Sequence, residues 1–238
     1  MANIAILIST YNRKAFLEKT LDSLTDSLNG SIHTPHIFVF DDGSDDGSVE
    51  LLDSRKGRPY MDAFMHGSKN RGLRYVLDTG IYWLSKYEKG FDYICYCDDL
   101  QFENGWLDEF VNLWEDMSER EHIGFITGHD APEHPTEKKT LGIKLKRTCR
   151  ATQLFASRDR WALFGDIPDL TPGIATPKPG YGSLVDWWLV GHPEGKYPES
   201  LNSLKNRGEY VAVLERVKHT AFKGEDSTWG NQNMEYMI

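Results

Sequence analysis

The chain begins with a strand-like run followed by a helix-like run. Residues 3–9 carry the apolar run NIAILIS, which is typical of a strand buried on both faces of a parallel sheet. Apolar side chains then recur at helical spacing through residues 16–28, and Asn29-Gly30 is a typical helix end. This order predicts an α/β fold built on a parallel sheet.

The same alternation continues to about Gly128. The next predicted strands are HIFVF, YMDAFMH, DYICYC and IGFIT, and the predicted helices between them are SVELLDSR, a helix beginning near Arg71, and WLDEFVNLWEDM. Alternation over about 125 residues predicts right-handed connections, with helices on both faces of the sheet.

The pattern changes after Gly128. The segments HDAPEHPTEKKT and TPGIATPKPGYG are polar and contain proline, so we predict surface or lid loops there. Between them RATQLFASRDRWALFG predicts a strand and then a helix, and YVAVLERVKH predicts one late strand. The polar tail KGEDSTWGNQNMEYMI is expected to fold over a site only when a ligand is present.

Composition narrows the class of protein. The 238 residues are 39% hydrophobic, as in soluble globular proteins, and no apolar run approaches the roughly 18 to 20 residues of a membrane span. The first residues lack the basic leader of a signal peptide, so we expect a cytoplasmic protein without stable membrane insertion. Cys95 and Cys97 fall on one face of a strand, which predicts core thiols rather than a disulfide. The formal charge of −9 argues against nucleic-acid or anionic-membrane binding by the whole surface.

The stretch FVFDDGSDDGS concentrates four carboxylates directly after an apolar run. One hypothesis is an EF-hand calcium loop, with Asp42, Ser44, Asp46 and Gly47 at its first, third, fifth and sixth places and Asp53 at its twelfth. An EF-hand loop follows a helix, however, whereas HTPHIFVF predicts a strand. The other hypothesis is a ligand loop at the carboxyl end of a parallel strand.

Four segments together resemble the family-2-like glycosyltransferases with the GT-A fold. They are ILISTYNRKAFLEKTLDSL, FDDGSDDGS, NRGLRYVLDTGI and YCDDLQFENGWL, in this order. The resemblance implies a GT-A fold, with a mostly parallel central sheet flanked by helices and a small acceptor-side region. Residues 1–128 would then form the nucleotide-sugar-binding half, and 129–238 the acceptor-binding and catalytic half, of one compact domain.

The resemblance assigns a donor-nucleotide site to the first strand ends. Thr10, Tyr11 and Arg13 would line the base pocket, and Asp41 or Asp42 would accept a hydrogen bond from the base. A carboxylate acceptor suits the imide of uracil better than an adenine edge, so UDP is the favoured nucleotide. The alternative for these acids is a capping carboxylate for the helix that follows Ser48.

A second group of residues would handle the diphosphate. Arg71 would reach the base or the diphosphate. Two adjacent carboxylates after an apolar strand are costly unless a cation compensates them, and Mn²⁺ or Mg²⁺ prefers such oxygen ligands. The resemblance makes Asp99 the metal ligand and Asp98 the contact to ribose or sugar, although Cys97 stands where the family often has its first Asp and either acid could be the principal ligand. His219 matches a late metal-binding histidine, its alternative being an ordinary exposed side chain.

Asp186 falls where the family carries an acidic dyad, and Val185 replaces the first acid. The resemblance assigns Asp186 as the general base, with a helix N-cap as the alternative. The function implied is a metal-dependent, inverting glycosyltransferase acting from a nucleoside diphosphate sugar on an acceptor hydroxyl. The alternatives are the calcium-binding module and a catalytically inactive sugar-nucleotide binder.

The acceptor is left open between a saccharide, a lipid-linked sugar, a protein and a modified nucleic-acid base. A basic cluster stands out in the acidic chain, either as a solvated face or as a contact for an anionic acceptor. Its members are Lys138, Lys139, Lys144, Lys146, Arg147 and Arg150.

Overall fold

The computed structural model describes residues 1–85, 87, 90–131, 134–167, 188–191 and 199–219. The strands are β1 (Asn3–Thr10), β2 (Thr34–Asp41), β3 (Met61–His66), β4 (Tyr93–Cys97), β5 (Leu100–Phe102), β6 (Ile123–Thr127), β7 (Thr136–Thr140), β8 (Ile143–Lys146), β9 (Gln153–Ser157), β10 (Tyr210–Val213) and β11 (Val217–His219). The helices are α1 (Lys14–Ser27), α2 (Ser48–Arg55), α3 (Leu73–Ser85), α4 (Trp106–Met117), α5 (Arg158–Ala162) and α6 (Leu204–Arg207).

Nine of the strands in the described residues form one sheet in the order β3-β2-β1-β4-β9-β6-β10-β8-β7. The strands β3, β2, β1 and β4 are mutually parallel, and β10 is parallel to β6. The strand β9 runs antiparallel between β4 and β6, and β8 is antiparallel to both of its neighbours. The predicted mostly parallel sheet is therefore confirmed, and it continues across the predicted boundary at residue 128.

The core lies on both faces of the sheet. On β1, Ile4, Ile6 and Ile8 belong to the cluster that includes the apolar side of α1, whereas Ala5 and Leu7 belong to the cluster on the α3 side. This division follows from the two-residue period of a strand. Burying an aliphatic side chain of this size contributes about 1.5–3 kcal/mol to the free energy of folding. The strand β1 therefore contributes to the stability of the core on both faces of the sheet.

The segment HDAPEHPTEKKT is only partly a loop. Its last residues form β7, which pairs with β8 as an antiparallel hairpin at one edge of the sheet, so the prediction was wrong for residues 136–140. Four of the five β7 residues are exposed, which explains why no apolar pattern marked a strand. Lysines on an edge strand also oppose pairing with another chain.

The basic cluster is engaged largely in ion pairs. Lys138 contacts Glu121 at 2.5 Å, and Lys144 contacts both Asp130 and Glu215 at 2.5 Å. Three further contacts involve the cluster: Lys146 with Asp130, Arg147 with Glu137, and the Arg147 guanidinium over the ring of Tyr210. These ion pairs favour the interpretation of the cluster as a solvated face over its interpretation as a contact for an anionic acceptor.

The predicted strand YVAVLERVKH is two strands in two sheets. The first, β10, ends at Val213, and the second, β11, pairs with β5 in a separate antiparallel sheet. His219 is the register partner of Leu100 in that pairing. The break therefore carries the backbone of His219 to the residue that follows Asp99.

Three predictions fall outside the described residues. They concern the loop TPGIATPKPGYG, the base Asp186 and the C-terminal tail. In the part of the chain that the structure does describe, no helix combines the length and the apolar character needed to cross a bilayer.

Candidate active site

The carboxyl ends of β1, β2, β3 and β4 lie along one edge of the sheet. Thr10 is the register partner of Asp41, Asp41 is the partner of His66, and Asp98 directly follows β4. Open α/β sheets bind ligands at this edge. The structure thus brings the predicted residues of the first, second and fourth strands together and adds His66 from the third.

Asp41 is fully buried and makes its contacts within the protein. Its carboxylate accepts hydrogen bonds from the Ser44 backbone N–H at 3.1 Å and from the Ser44 hydroxyl. His66 Nδ1 lies 2.6 Å from the same carboxylate, and the His66 side chain is 41% exposed. Our sequence analysis did not single out His66. The sequence could have indicated His66 by its position alone, because it is the last residue of the strand that follows the one ending in Asp41.

Asp42 holds the beginning of α3. Its carboxylate is 3% exposed and accepts the backbone N–H of Arg71 at 2.9 Å and of Gly72 at 2.6 Å. Burial raises the pKa of Asp42, while these two hydrogen bonds oppose the increase. The capping alternative is therefore wrong for Asp42, which holds the two residues that precede α3 instead of the helix after Ser48.

A different acid caps the helix after Ser48. Asp46 accepts the Ser48 N–H at 3.0 Å and the Lys14 N–H at 2.7 Å, so one carboxylate serves the first turns of α1 and α2. Burial alone would raise the pKa of Asp46, but the hydrogen bonds from Ser48 and Lys14 leave it lowered. Asn12 N–H also donates to Ser44 Oγ at 2.8 Å. The loops after β1 and β2 are thereby joined into one unit.

These contacts contradict the EF-hand hypothesis. The loop is entered from β2, a strand, whereas an EF-hand is entered from a helix. In addition, Asp42 and Asp46 both point their oxygens at backbone N–H groups. The calcium-binding module is therefore the wrong interpretation of DDGSDDG.

Asp98 and Asp99 meet a guanidinium at the end of β4. Arg13 Nη1 lies 2.8 Å from Asp99 Oδ2, and the two side chains are 11% and 2% exposed. Burial raises the pKa of both acids, and the Asp98 charge raises that of Asp99 further. Arg13 opposes the increase at both acids. Positive charge therefore stabilises the ionised acids at this corner, as the sequence indicated, and Arg13 supplies such a charge.

Two other predicted residues flank this edge. Thr10 is buried, and its Oγ1 has no hydrogen-bond partner among the described residues. Such a hydroxyl can still donate to or accept from a ligand. The guanidinium of Arg71 stacks over the ring of Tyr75 at 4.5 Å, one turn into α3. Tyr11 lies between Thr10 and the loop residue Asn12 and is partly buried.

The sequence model of glycosyl transferase family 2 matches residues 5–173, which is more than half of the chain. The chain belongs to glycosyl transferase family 2. The matched range contains the acids at the ends of β2 and β4 together with Arg13 and Arg71, whereas Asp186 and His219 lie beyond it. A comparison with curated protein sequences gives no significant match.

This family 2 member is similar to solved structures. The mannosyltransferase PcManGT from Pyrobaculum calidifontis, solved with GDP-Man and Mn²⁺, is 15% identical with a TM-score of 0.53, over 70% of this chain and 48% of that chain. TarS 1–349 from S. aureus is 15% identical with a TM-score of 0.47, over 68% of this chain and 48% of that chain. The chain thus spans about half the length of these structures. Family membership and the sheet order confirm the GT-A fold.

The donor set of this family 2 member fits a divalent cation that is shared with a substrate. Mg²⁺ and Mn²⁺ favour carboxylate oxygens, and Mg²⁺ is commonly held by one or two carboxylates together with substrate phosphates. Asp98 and Asp99 would supply those carboxylates, and β11 brings the backbone of His219 beside them. No group of three acidic, histidine or cysteine side chains in the described residues is arranged to hold a metal on its own. A substrate would have to supply the remaining ligands.

The predicted base of this family 2 member lies outside the described residues, but both flanks of its segment are anchored. On α3, Arg74 donates to the carbonyl of Ile167, and Asp78 accepts the Ile167 N–H, each at 2.8 Å. Beyond Asp186, Leu189 and Val190 are buried in the core on the α3 side of the sheet. The described residues on the two sides of this segment, Ile167 and Leu189, therefore both lie in that core.

Proposed function

We propose that this protein is a metal-dependent, inverting glycosyltransferase that moves one sugar from a UDP-sugar to an acceptor hydroxyl. The observation that carries the proposal is the Asp98-Asp99 pair at the carboxyl edge of the sheet, in which Asp99 is buried and Arg13 offsets part of the negative charge. A similar fold solved with GDP-Man and Mn²⁺ supports a nucleoside diphosphate sugar and a divalent ion.

The donor nucleotide would lie over the ends of β1 and β2. Thr10 Oγ1 offers a buried hydroxyl, and Tyr11 follows it in the loop. Each carboxylate of Asp41 and Asp42 has about four lone-pair sites, so either can still accept a base N–H beside its protein donors. Because carboxylates only accept, they favour a base that presents an N–H, which is the reason for preferring uracil to adenine.

The diphosphate would lie near Arg71 and the Asp98-Asp99 corner. Asp98 would contact the ribose or the sugar, and Asp99 with His219 would hold the divalent ion. That ion would supply positive charge to the leaving diphosphate. Since Asp99 is buried, the interaction of its carboxylate with a cation is stronger here than in water.

Asp186 would act on the acceptor. As the acceptor hydroxyl oxygen forms a bond to the anomeric carbon, the bond from that carbon to the diphosphate breaks with its electron pair, and the hydroxyl proton passes to the Asp186 carboxylate. Attack opposite the leaving group inverts the anomeric centre. NMR of the first-formed product is expected to show inversion, and retention of the donor configuration would rule out this course.

Thermal unfolding with nucleotides tests the donor site. UDP with Mn²⁺ at 100 times its Kd should stabilise the protein by about 2.7 kcal/mol. Asp99→Ala should abolish the Mn²⁺-dependent part of that stabilisation. Asp53→Ala, which removes the same charge from an exposed pair with Lys56, is the matched control and should respond as wild type does. Stabilisation by GDP in place of UDP would overturn the UDP assignment, and no stabilisation by any nucleoside diphosphate would overturn the donor site.

Turnover separates the enzyme from an inactive binder. Asp186→Asn should lower kcat by about 10²- to 10⁴-fold and leave UDP binding unchanged. Asp166→Asn, which removes an exposed acid earlier in the chain, is the control and should keep full activity. Normal turnover by Asp186→Asn would refute the base assignment. Nucleotide binding by wild type without transfer from any UDP-sugar would favour the inactive binder.

A further inference from the structure

Arg13 is held at the acidic corner by Asp99. It precedes α1, and the electropositive end of that helix does not favour a cation. Its guanidinium nevertheless lies 2.8 Å from Asp99 and 4.7 Å from the centre of the Phe16 ring. With the Arg13 side chain 11% exposed, the ion pair is formed away from bulk water. The position of the Arg13 guanidinium against Asp99 is therefore determined by two contacts within the protein.

The position of Arg13 conflicts with a metal on the same carboxylate. A guanidinium and a divalent ion repel each other, and the repulsion grows as the surroundings become less polar. Both would use the oxygens of Asp99, which is 2% exposed. A diphosphate would offer the guanidinium new oxygens in a geometry that suits bidentate contacts.

We propose that Arg13 is a place-holding cation, which occupies Asp99 in the nucleotide-free protein and has to leave Asp99 when a divalent ion binds there. This inference rests on the proposed metal-dependent function. It makes metal binding weak without nucleotide and couples it to nucleotide binding, because an arriving diphosphate can take over the guanidinium. By thermodynamic linkage, Mn²⁺ then increases UDP affinity by the same factor as UDP increases Mn²⁺ affinity.

Direct Mn²⁺ binding, measured by electron paramagnetic resonance of the free ion, tests the inference without any turnover. Without nucleotide, Arg13→Met should bind Mn²⁺ roughly tenfold more tightly than wild type, within the usual range of coupling between sites. The increase in Mn²⁺ affinity caused by UDP should be smaller in Arg13→Met than in wild type.

Arg55→Met is the matched control. Arg55 is also an ion-paired arginine, with Nη1 2.5 Å from Asp22 Oδ1 and a side chain 15% exposed, but it lies on α2. Its removal changes the net charge by the same amount. Mn²⁺ affinity should therefore stay at the wild-type value in Arg55→Met, and a tenfold change there would show that total charge, not Arg13, sets the affinity.

Two outcomes distinguish this inference from the function on which it rests. If Asp99→Asn loses Mn²⁺ binding while Arg13→Met binds Mn²⁺ no more tightly than wild type, the place-holding role is wrong and the metal site stands. If Asp99→Asn binds Mn²⁺ as wild type does, the metal assignment and the place-holding role are both wrong. Should Arg13→Met fail to fold, Arg13→Gln, which keeps a polar side chain but removes the charge, decides: an affinity above that of wild type supports the role, and an unchanged affinity overturns it.

Discussion

The contact between Asp42 and the start of α3 predicts a defined loss of stability in Asp42→Ala. Alanine removes the acceptor for two backbone N–H groups, those of Arg71 and Gly72. Hydrogen bonds to charged groups contribute about 1.5–3 kcal/mol each. Because both N–H groups are only partly buried, water replaces part of the loss. We therefore expect Asp42→Ala to lower the free energy of unfolding by about 2 kcal/mol.

Asp42→Asn is the control for charge. A single amide oxygen can accept both N–H groups, and an uncharged side chain avoids the cost of burying a carboxylate. We expect Asp42→Asn to lie within about 1 kcal/mol of wild type at pH 7. Burial raises the folded-state pKa of Asp42 above its ordinary 3.8, so the stability contributed by the protonated acid is present below pH 3.8 and is lost as pH rises through the folded value. Wild type should thus lose stability relative to Asp42→Asn as pH increases from about 4 toward neutral.

Urea unfolding followed by circular dichroism measures all three proteins, with equal m-values as the check that only stability changed. A loss below about 0.5 kcal/mol in Asp42→Ala would refute the role of Asp42 in holding the residues before α3. An equal loss in Asp42→Asn and Asp42→Ala would show that the charge, and not the acceptor oxygen, holds α3.

Three further expectations concern the scaffold. Arg160→Met should lower the free energy of unfolding by about 2 kcal/mol in urea, because it removes the 2.6 Å contact of Arg160 with the Glu209 carboxylate and leaves that carboxylate only its contact with Arg207, and a loss under about 0.5 kcal/mol would contradict this. Gly43→Ala should melt at a lower temperature than Gly30→Ala. Both glycines have positive φ, but a Cβ at Gly43 would lie 2.7 Å from the Lys69 backbone, whereas a Cβ at Gly30 would meet open space. Equal melting temperatures would contradict the clash. Burial raises the pKa of Cys95 to about 12, so a thiol reagent at neutral pH should label it only after unfolding; rapid labelling of native protein would refute its burial.

Several features of the site were determined locally and were therefore open to prediction. Apolar runs that end in carboxylates mark strands whose ends face a ligand, and this placed Asp41, Asp98 and Asp99 at one edge. The reason is that burial on both faces of a parallel strand writes a continuous apolar run into the sequence. The family resemblance, which depends on the same short segments, was confirmed by the match to residues 5–173.

Other features depend on residues far apart in the chain. Asp42 receives its hydrogen bonds from a helix start 29 and 30 residues later, and the sequence alone had suggested a nearer helix. The hairpin β7–β8 was missed because an exposed edge strand needs no apolar side. The placing of β9 between β4 and β6 likewise has no local signal.

The sequence by itself determined the alternating α/β fold and the acids that follow its strands, because the periodicity of apolar residues is a local property of the sequence. Only the tertiary structure decided which partner each acid has: His66 for Asp41, the start of α3 for Asp42, and Arg13 for Asp99. The strand order decides which residues lie next to each acid. Because a buried carboxylate is costly unless a donor or a cation contacts it, those neighbouring residues become its partners.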